Sequence, residues 1–368
     1  MLDYILLIGV GFGMAAMLGR IFIPGVLVVA HHKNLFDLPD ERKVHTAPIP
    51  RLGGVTFFPI IVFVMSLMCL LQFVFSPVAG GFFTTNSISE FLGMMAGLTL
   101  LYVIGIGDDL VGVRYSRKFL IQIISALLIP LSGLYINNFY GLFGLHEIPA
   151  FFGIPLTLLL TVFVTNAINL IDGIDGLASG LCLVAFGMFS IIFALEDLWM
   201  YTLLAIICVG AIIPFFCYNV FGNIEKGHKI FMGDTGSLTL GYILSLMAIK
   251  YSMYTGEMDA AAEGAPLVTT FSILLVPCLD VCRVVLGRFR RKAHPFKPDR
   301  THLHHKFLNM GFSARRSMML IQTMAVCFIV VTYLLIYWGV SANIVFVLDL
   351  LVWTLLNVWF SKIIKKKE

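Results

Sequence analysis

Long apolar runs alternate with short polar connections along nearly the whole chain, and the runs have membrane-crossing length. About eleven of them come near the ~20 residues that a bilayer core requires, roughly 2–30, 53–76, 91–106, 119–136, 150–165, 177–195, 198–216, 236–254, 266–287, 317–338 and 342–361. The pattern predicts an all-α integral membrane protein of about eleven transmembrane helices, with the polar stretches near 31–52 and 288–316 as loops. The spans leave no room for a soluble domain, so residues 1–368 read as one polytopic unit. The start, Met1-Leu2-Asp3-Tyr4, lacks the basic region of a cleaved signal, and the first run is expected to be retained as a helix.

Charge orients this pattern. The odd-numbered connections carry Lys33, Arg42, Lys43 and Arg51, then Arg114, Arg117 and Lys118, then Lys226 and Lys229, then the basic stretch from Arg288 to Arg316. The even-numbered connections hold Glu90, Glu147, Glu196, Asp197, Glu257, Asp259 and Glu263, with Lys250 as the one cation nearby. By the positive-inside rule the amino terminus is expected outside and the carboxyl terminus inside, as in a multi-pass protein of the inner (cytoplasmic) membrane. The composition agrees, with 59% hydrophobic and 12% charged residues. The net charge of +4 is spread between the spans, which argues against a nucleic-acid partner. All seven cysteines fall in or beside apolar runs, so no disulfide framework is expected.

Topology does not require the carboxylates, amides and imidazoles that gather at the inside ends of the segments, and such groups at membrane depth mark a site. Five stretches carry them. In the first, Asp37 to Gly54, Arg42, Lys43 and His45 are candidates to clamp an anion, while Gly53-Gly54 admits a ligand or a closely packed helix. The second is Gly105-Ile106-Gly107-Asp108-Asp109, whose aspartates stand ~100° apart on a helix and cannot both face one ligand. The third runs from Asn166 through Asn169 and Asp172 to Asp175, a strip of oxygen ligands of the kind Mg²⁺ prefers. The fourth is Phe231-Met232-Gly233-Asp234-Thr235-Gly236-Ser237, preceded by Asn219; it reads equally as a helix N-cap and as a phosphate or metal site. The fifth, His294 to His305, holds Arg300, His302, His304 and His305; zinc is the competing reading, disfavoured by the surrounding cations.

Together these stretches resemble the polyprenyl-phosphate N-acetylhexosamine-1-phosphate transferase family, in particular its bacterial undecaprenyl-phosphate GlcNAc-1-phosphate transferase branch, from about Asp37 to Gly311. The resemblance implies a Mg²⁺-dependent enzyme, with Mn²⁺ as a substitute, that joins UDP-N-acetylglucosamine to undecaprenyl phosphate and releases UMP. It implies Asp234 as metal ligand, joined in some members by Asn169, and Asp108, Asp109, Asp172 and Asp175 as residues needed for catalysis. It places Phe231 on uracil and His302, His304 and His305 near the donor phosphates. Arg42, Lys43, His45, Lys118, Asn219 and Arg300 complete the expected substrate contacts. The His-Leu-His-His order departs from the consecutive histidines of the muramoyl-pentapeptide branch. The sequence leaves open the choice among UDP-2-acetamido sugars, a homodimer, and a different class altogether, a secondary transporter with an ion site at one face.

Overall fold

The computed structural model describes residues 2–37, 48–75, 85–254, 264–292 and 301–367. Its helices are α1 (Leu2–His32), α2 (Phe57–Phe75), α3 (Thr85–Val111), α4 (Tyr115–Leu131), α5 (Ala150–Ile171), α6 (Leu177–Leu195), α7 (Trp199–Phe221), α8 (Gly233–Ser252), α9 (Ala265–Arg290), α10 (Leu303–Asn309), α11 (Ala314–Tyr337) and α12 (Ala342–Lys367). Each predicted segment coincides with one long helix, in order, and α10 is an addition. Two short strands, β1 (Phe36–Asp37) and β2 (Ile49–Pro50), pair antiparallel beside the bundle.

Among the described residues nine helices are long and apolar enough to cross a membrane, as befits an integral membrane protein. The two long helices outside that set are α4, of 17 residues, and α8. Helix α8 is too polar by composition because it lies at the centre of the bundle, buried along almost its full length between α3, α5, α6 and α9. Small residues let its neighbours close in, and its hydroxyls turn back onto its own backbone: Thr239 Oγ1 donates to Thr235 O (2.7 Å) and Ser245 Oγ to Tyr242 O (2.7 Å). Tyr242 Oη reaches across to Ser125 O on α4 (2.8 Å). Polar groups satisfied by protein need no lipid-compatible surface.

Two expectations change. Helix α3 starts earlier and ends later than the apolar run 91–106, because its polar ends find partners in other helices. The stretch 288–316 is not a plain loop: α9 runs on to Arg290, α11 begins at Ala314, and α10 lies between, with Leu303 and Phe307 buried against the bundle.

Candidate functional site

The site forms where the carboxyl ends of α3, α5 and α7 meet the amino ends of α4, α6 and α8. It is built around the first turn of α8. Gly233 adopts φ 75°, and a Cβ there would collide with the Arg51 carbonyl and the Asp109 carboxylate. The opening N–H groups of α8 are satisfied from α3: Asp109 accepts from Asp234 N (2.7 Å), Thr235 N (2.9 Å) and Thr235 Oγ1 (2.6 Å). The capping role that Asp234 could have taken thus belongs to Asp109, and the Asp234 side chain is left to face the cleft. The segment after β2 seals the other flank, with Gly53 N donating to Phe231 O (2.9 Å) and Gly54 N to Met232 O (2.8 Å). Gly54 sits against the Gly236 backbone so closely that no side chain fits, so the Gly53-Gly54 pair serves helix packing.

The neighbouring aspartates divide as the ~100° step requires. Asp108 accepts from Val113 N (2.7 Å) and from Lys118 Nζ (2.9 Å), and the same ammonium reaches Asp234 Oδ2 at 2.6 Å. The other Asp234 oxygen accepts from Asn169 Nδ2 (2.7 Å), which also donates to Ser237 Oγ (2.8 Å). Arg51 stands 3.7 Å from both Asp109 and Asp234 and 3.5 Å from Asp37. Asn166 does not join this group: the single i+3 step to Asn169 leaves it about 60° round the helix, and its amide pairs with Gln122 of α4 (2.7 Å).

Past the end of α5 the chain turns through Asp172 to Gly176. Asp175 pairs with Lys229 (2.6 Å). Asn219 braces the turn, accepting from Gly176 N (2.6 Å) and donating to Ile230 O (2.8 Å), and Gln322 of α11 donates to Gly176 O (2.7 Å). The Asp172 side chain is exposed and lines the cleft. Enclosure by the cleft walls, then the Asp234 charge, still push its carboxyl upward, against the pull of Arg51.

The histidines split. His304 is buried with its ring on Gly173, and burial followed by the neighbouring His305 and His302 push it down to about 3, so it is neutral at physiological pH. The His304 and His305 rings lie 4.1 Å apart and both line the cleft. His302 lies behind them, with Nδ1 2.9 Å from the Asp280 carboxylate.

The resulting cleft holds about 460 Å³ and is lined by Asp37, Arg51, Asn169, Asp172, Asp175, Asn219, Lys229, Phe231, Asp234, His304 and His305, among others. Sequence reasoning had not singled out Asp37, Arg51, Lys229 or Asp280. Arg42, Lys43, His45 and Arg300 lie outside the described residues. In and around the cleft, six described carboxylates (Asp37, Asp108, Asp109, Asp172, Asp175, Asp234) meet three cations (Arg51, Lys118, Lys229). Among the described residues no three His, Cys, Asp or Glu groups come together as a metal cage. The adjoining Asp234 carboxylate and Asn169 amide fit Mg²⁺, which takes one or two protein oxygens and completes its shell with water and phosphate.

Comparison with known proteins gives a concordant picture. Residues 91–252, from α3 to α8, match the family model of glycosyl transferase family 4. The chain is 30% identical over 319 residues to a probable undecaprenyl-phosphate N-acetylglucosaminyl 1-phosphate transferase of Bacillus subtilis, covering 85% of this chain and 80% of that protein. It is 30% identical to an undecaprenyl-phosphate alpha-N-acetylglucosaminyl 1-phosphate transferase of Yersinia pestis, covering 80% and 74%. It is 32% identical to a decaprenyl-phosphate N-acetylglucosaminephosphotransferase of Mycolicibacterium smegmatis, covering 84% and 77%.

Proposed function

Because the chain belongs to the polyprenyl-phosphate N-acetylglucosamine-1-phosphate transferases, we propose that it transfers N-acetylglucosamine 1-phosphate from UDP-N-acetylglucosamine to undecaprenyl phosphate, releasing UMP and starting a cell-envelope glycan. An acceptor phosphate oxygen bonds to the sugar-bearing phosphorus, and the bond from that phosphorus to the oxygen bridging to UMP breaks. The observation that carries the reading is the Asp108–Lys118–Asp234–Asn169 chain of contacts at the head of an anion-sized cleft.

Both substrates are anionic, so positioning and charge neutralisation carry most of such a transfer. Asp234 and Asn169 are the residues to hold Mg²⁺, or Mn²⁺ in its place, which when bound neutralises phosphate oxygens. Lys118, with Asp108 behind it, and Arg51 are placed to face the phosphates. Asp109 acts by fixing the start of α8. A base is of little use here: the second pKa of a phosphate monoester is ~6, so near neutrality the acceptor is already about nine-tenths dianion and full deprotonation gains less than about 0.1 kcal/mol. Asp108 therefore orients Lys118 and the acceptor. Phe231 offers a face for uracil, Asp172 and Asp175 line the nucleotide side, and the neutral His304 with His305 closes the wall by the donor phosphates.

In a membrane of the inner type, α4 and α8 cross along with the nine apolar helices, giving eleven spans with the amino terminus outside and the cleft cytoplasmic, where nucleotide sugars are made. Cysteines introduced at 114–117 are then labelled only from the cytoplasmic side; labelling of intact cells by an impermeant reagent would overturn the orientation. The central test is an assay of UMP release by purified protein with Mg²⁺, undecaprenyl phosphate and a panel of UDP-2-acetamido sugars. Release with UDP-N-acetylglucosamine alone is the expected result, and no release with any of them would sink the reading.

A further inference from the structure

Asp280 and Arg283 sit one turn apart on α9, set back from the cleft lining. The Asp280 carboxylate is fully buried and accepts from Arg283 Nη2 (2.6 Å), from the Leu303 backbone N–H (3.0 Å) and from His302 Nδ1 (2.9 Å). The same Arg283 nitrogen donates to Thr301 O (2.6 Å). Three successive residues, Thr301 to Leu303, are thus tied to one turn of α9. A buried carboxylate is costly unless its oxygens are well satisfied, so this arrangement needs all three donors at once. It also fixes the His302 tautomer, because the nitrogen facing a carboxylate must carry the proton. The His302 ring lies parallel to that of His304, 7° between planes and 5.9 Å between centres, and His304 is the ring pressed on Gly173 at the cleft wall. Arg283 Nε and His304 Nδ1 are buried without hydrogen-bond partners among the described residues.

We propose that Asp280 and Arg283 are positioning residues: acting through His302, they set the His304–His305 wall and so govern binding of the pyrophosphate-bearing donor and not of the lipid acceptor. This rests on the transferase reading above. The sequence offered a signal for it, a carboxylate and a guanidinium three residues apart inside an apolar run.

The test compares the full-length wild type with Asp280→Asn, His302→Ala and the double variant. UDP binding is measured calorimetrically without acceptor, and KM is measured separately for UDP-N-acetylglucosamine and undecaprenyl phosphate. Asp280→Asn is expected to weaken UDP binding about tenfold, the low end of what loss of a supporting partner around a binding site costs. The donor KM should rise in proportion while the acceptor KM stays within about twofold, and the double variant should be no worse than the single ones because the two residues act as a unit. Unchanged UDP binding, equal loss for both substrates, or additive losses in the double variant overturn the proposal. Should Asp280→Asn fail to fold, Arg283→Gln carries the same measurement, with the same donor-selective loss expected. If the wild type itself binds no UDP, it is the transferase reading that falls, and the positioning role with it.

Discussion

Helices α3 and α8 are joined by charge at both ends. Toward one end Glu90 and Lys250 meet at 2.8 Å, with the ammonium also 5.0 Å from the Tyr201 ring centre. Some 27 Å along α3, by its rise per residue, Asp108, Asp109 and Asp234 share Lys118 and Arg51. The first place balances one carboxylate against one ammonium in a closed interior. Among the described residues the second leaves carboxylates in surplus, beside a cleft. A pair of equal and opposite charges holds two helices in register; an unbalanced cluster stays ready for a ligand. The same residue types therefore mean different things at the two ends, and it is the local sum of charge that separates them.

Four outcomes sharpen that contrast. The largest belongs to the unbalanced end: Asp234→Asn should reduce UMP release by about a thousandfold or more, the scale of removing a preorganised electrostatic group, and flatten the Mg²⁺ titration. Wild-type turnover with an unaltered Mg²⁺ curve would remove Asp234 from metal binding. At the balanced end, Lys250→Met strands a buried carboxylate and should cost about 3–5 kcal/mol, read as a lower melting temperature in detergent. Adding Glu90→Gln should restore most of it, and whatever folds should keep the wild-type donor KM. If the pair were a second functional site, the repaired protein would remain inactive.

Asp109→Ala comes next, because it leaves the Asp234 and Thr235 N–H groups without their acceptor; about 1–3 kcal/mol is expected, with activity lost as well. Asp108→Ala should spare the melting temperature more than the activity, and equal destabilisation by the two would erase the division of labour between them. The smallest effect concerns Lys306, whose ammonium is lodged among neutral oxygens, Asn357 O (3.2 Å), Asn357 Oδ1 (3.3 Å) and Ser361 Oγ (3.0 Å). Burial, then the Arg283 charge, pull it down to about 8. The unfolded chain then holds more protons between about pH 8 and the ordinary lysine value of ~10.4, so stability should rise with pH across that window. A melting-temperature series should show the rise in the wild type and lose it in Lys306→Met.

The helices were legible because apolar runs of bilayer length are hard to build for any other purpose. Their ends were not, since hydropathy cannot see that Glu90 or Asp108 has a partner on another helix. The motifs converge in space: Asp172, Asp175, Phe231 and Asp234 share one cleft. Spacing alone left roles undetermined. It put Asn166 on the same strip as Asn169, yet the one faces Gln122 and the other Asp234. It marked Asn219 as a substrate contact; Asn219 lines the cleft, and its amide also braces Gly176 and Ile230. Arg51 escaped notice because a lone arginine before two glycines looks like a surface cation until the chain around it is folded against α8.

The polarity of α8 has a consequence for how such a chain is counted. Hydropathy retains nine helices and drops α4 and α8, and nine and eleven are both odd, so the two termini come out on the same sides either way. Everything between the dropped helices is inverted, however: α5, α6 and α7 would run upside down, and Asn169 would be put on the far side of the membrane from Asp108. The 2.7 Å bond from Asn169 to Asp234 and the ammonium that Asp234 shares with Asp108 forbid this. A parity check at the termini would pass a topology that cuts the cleft in two.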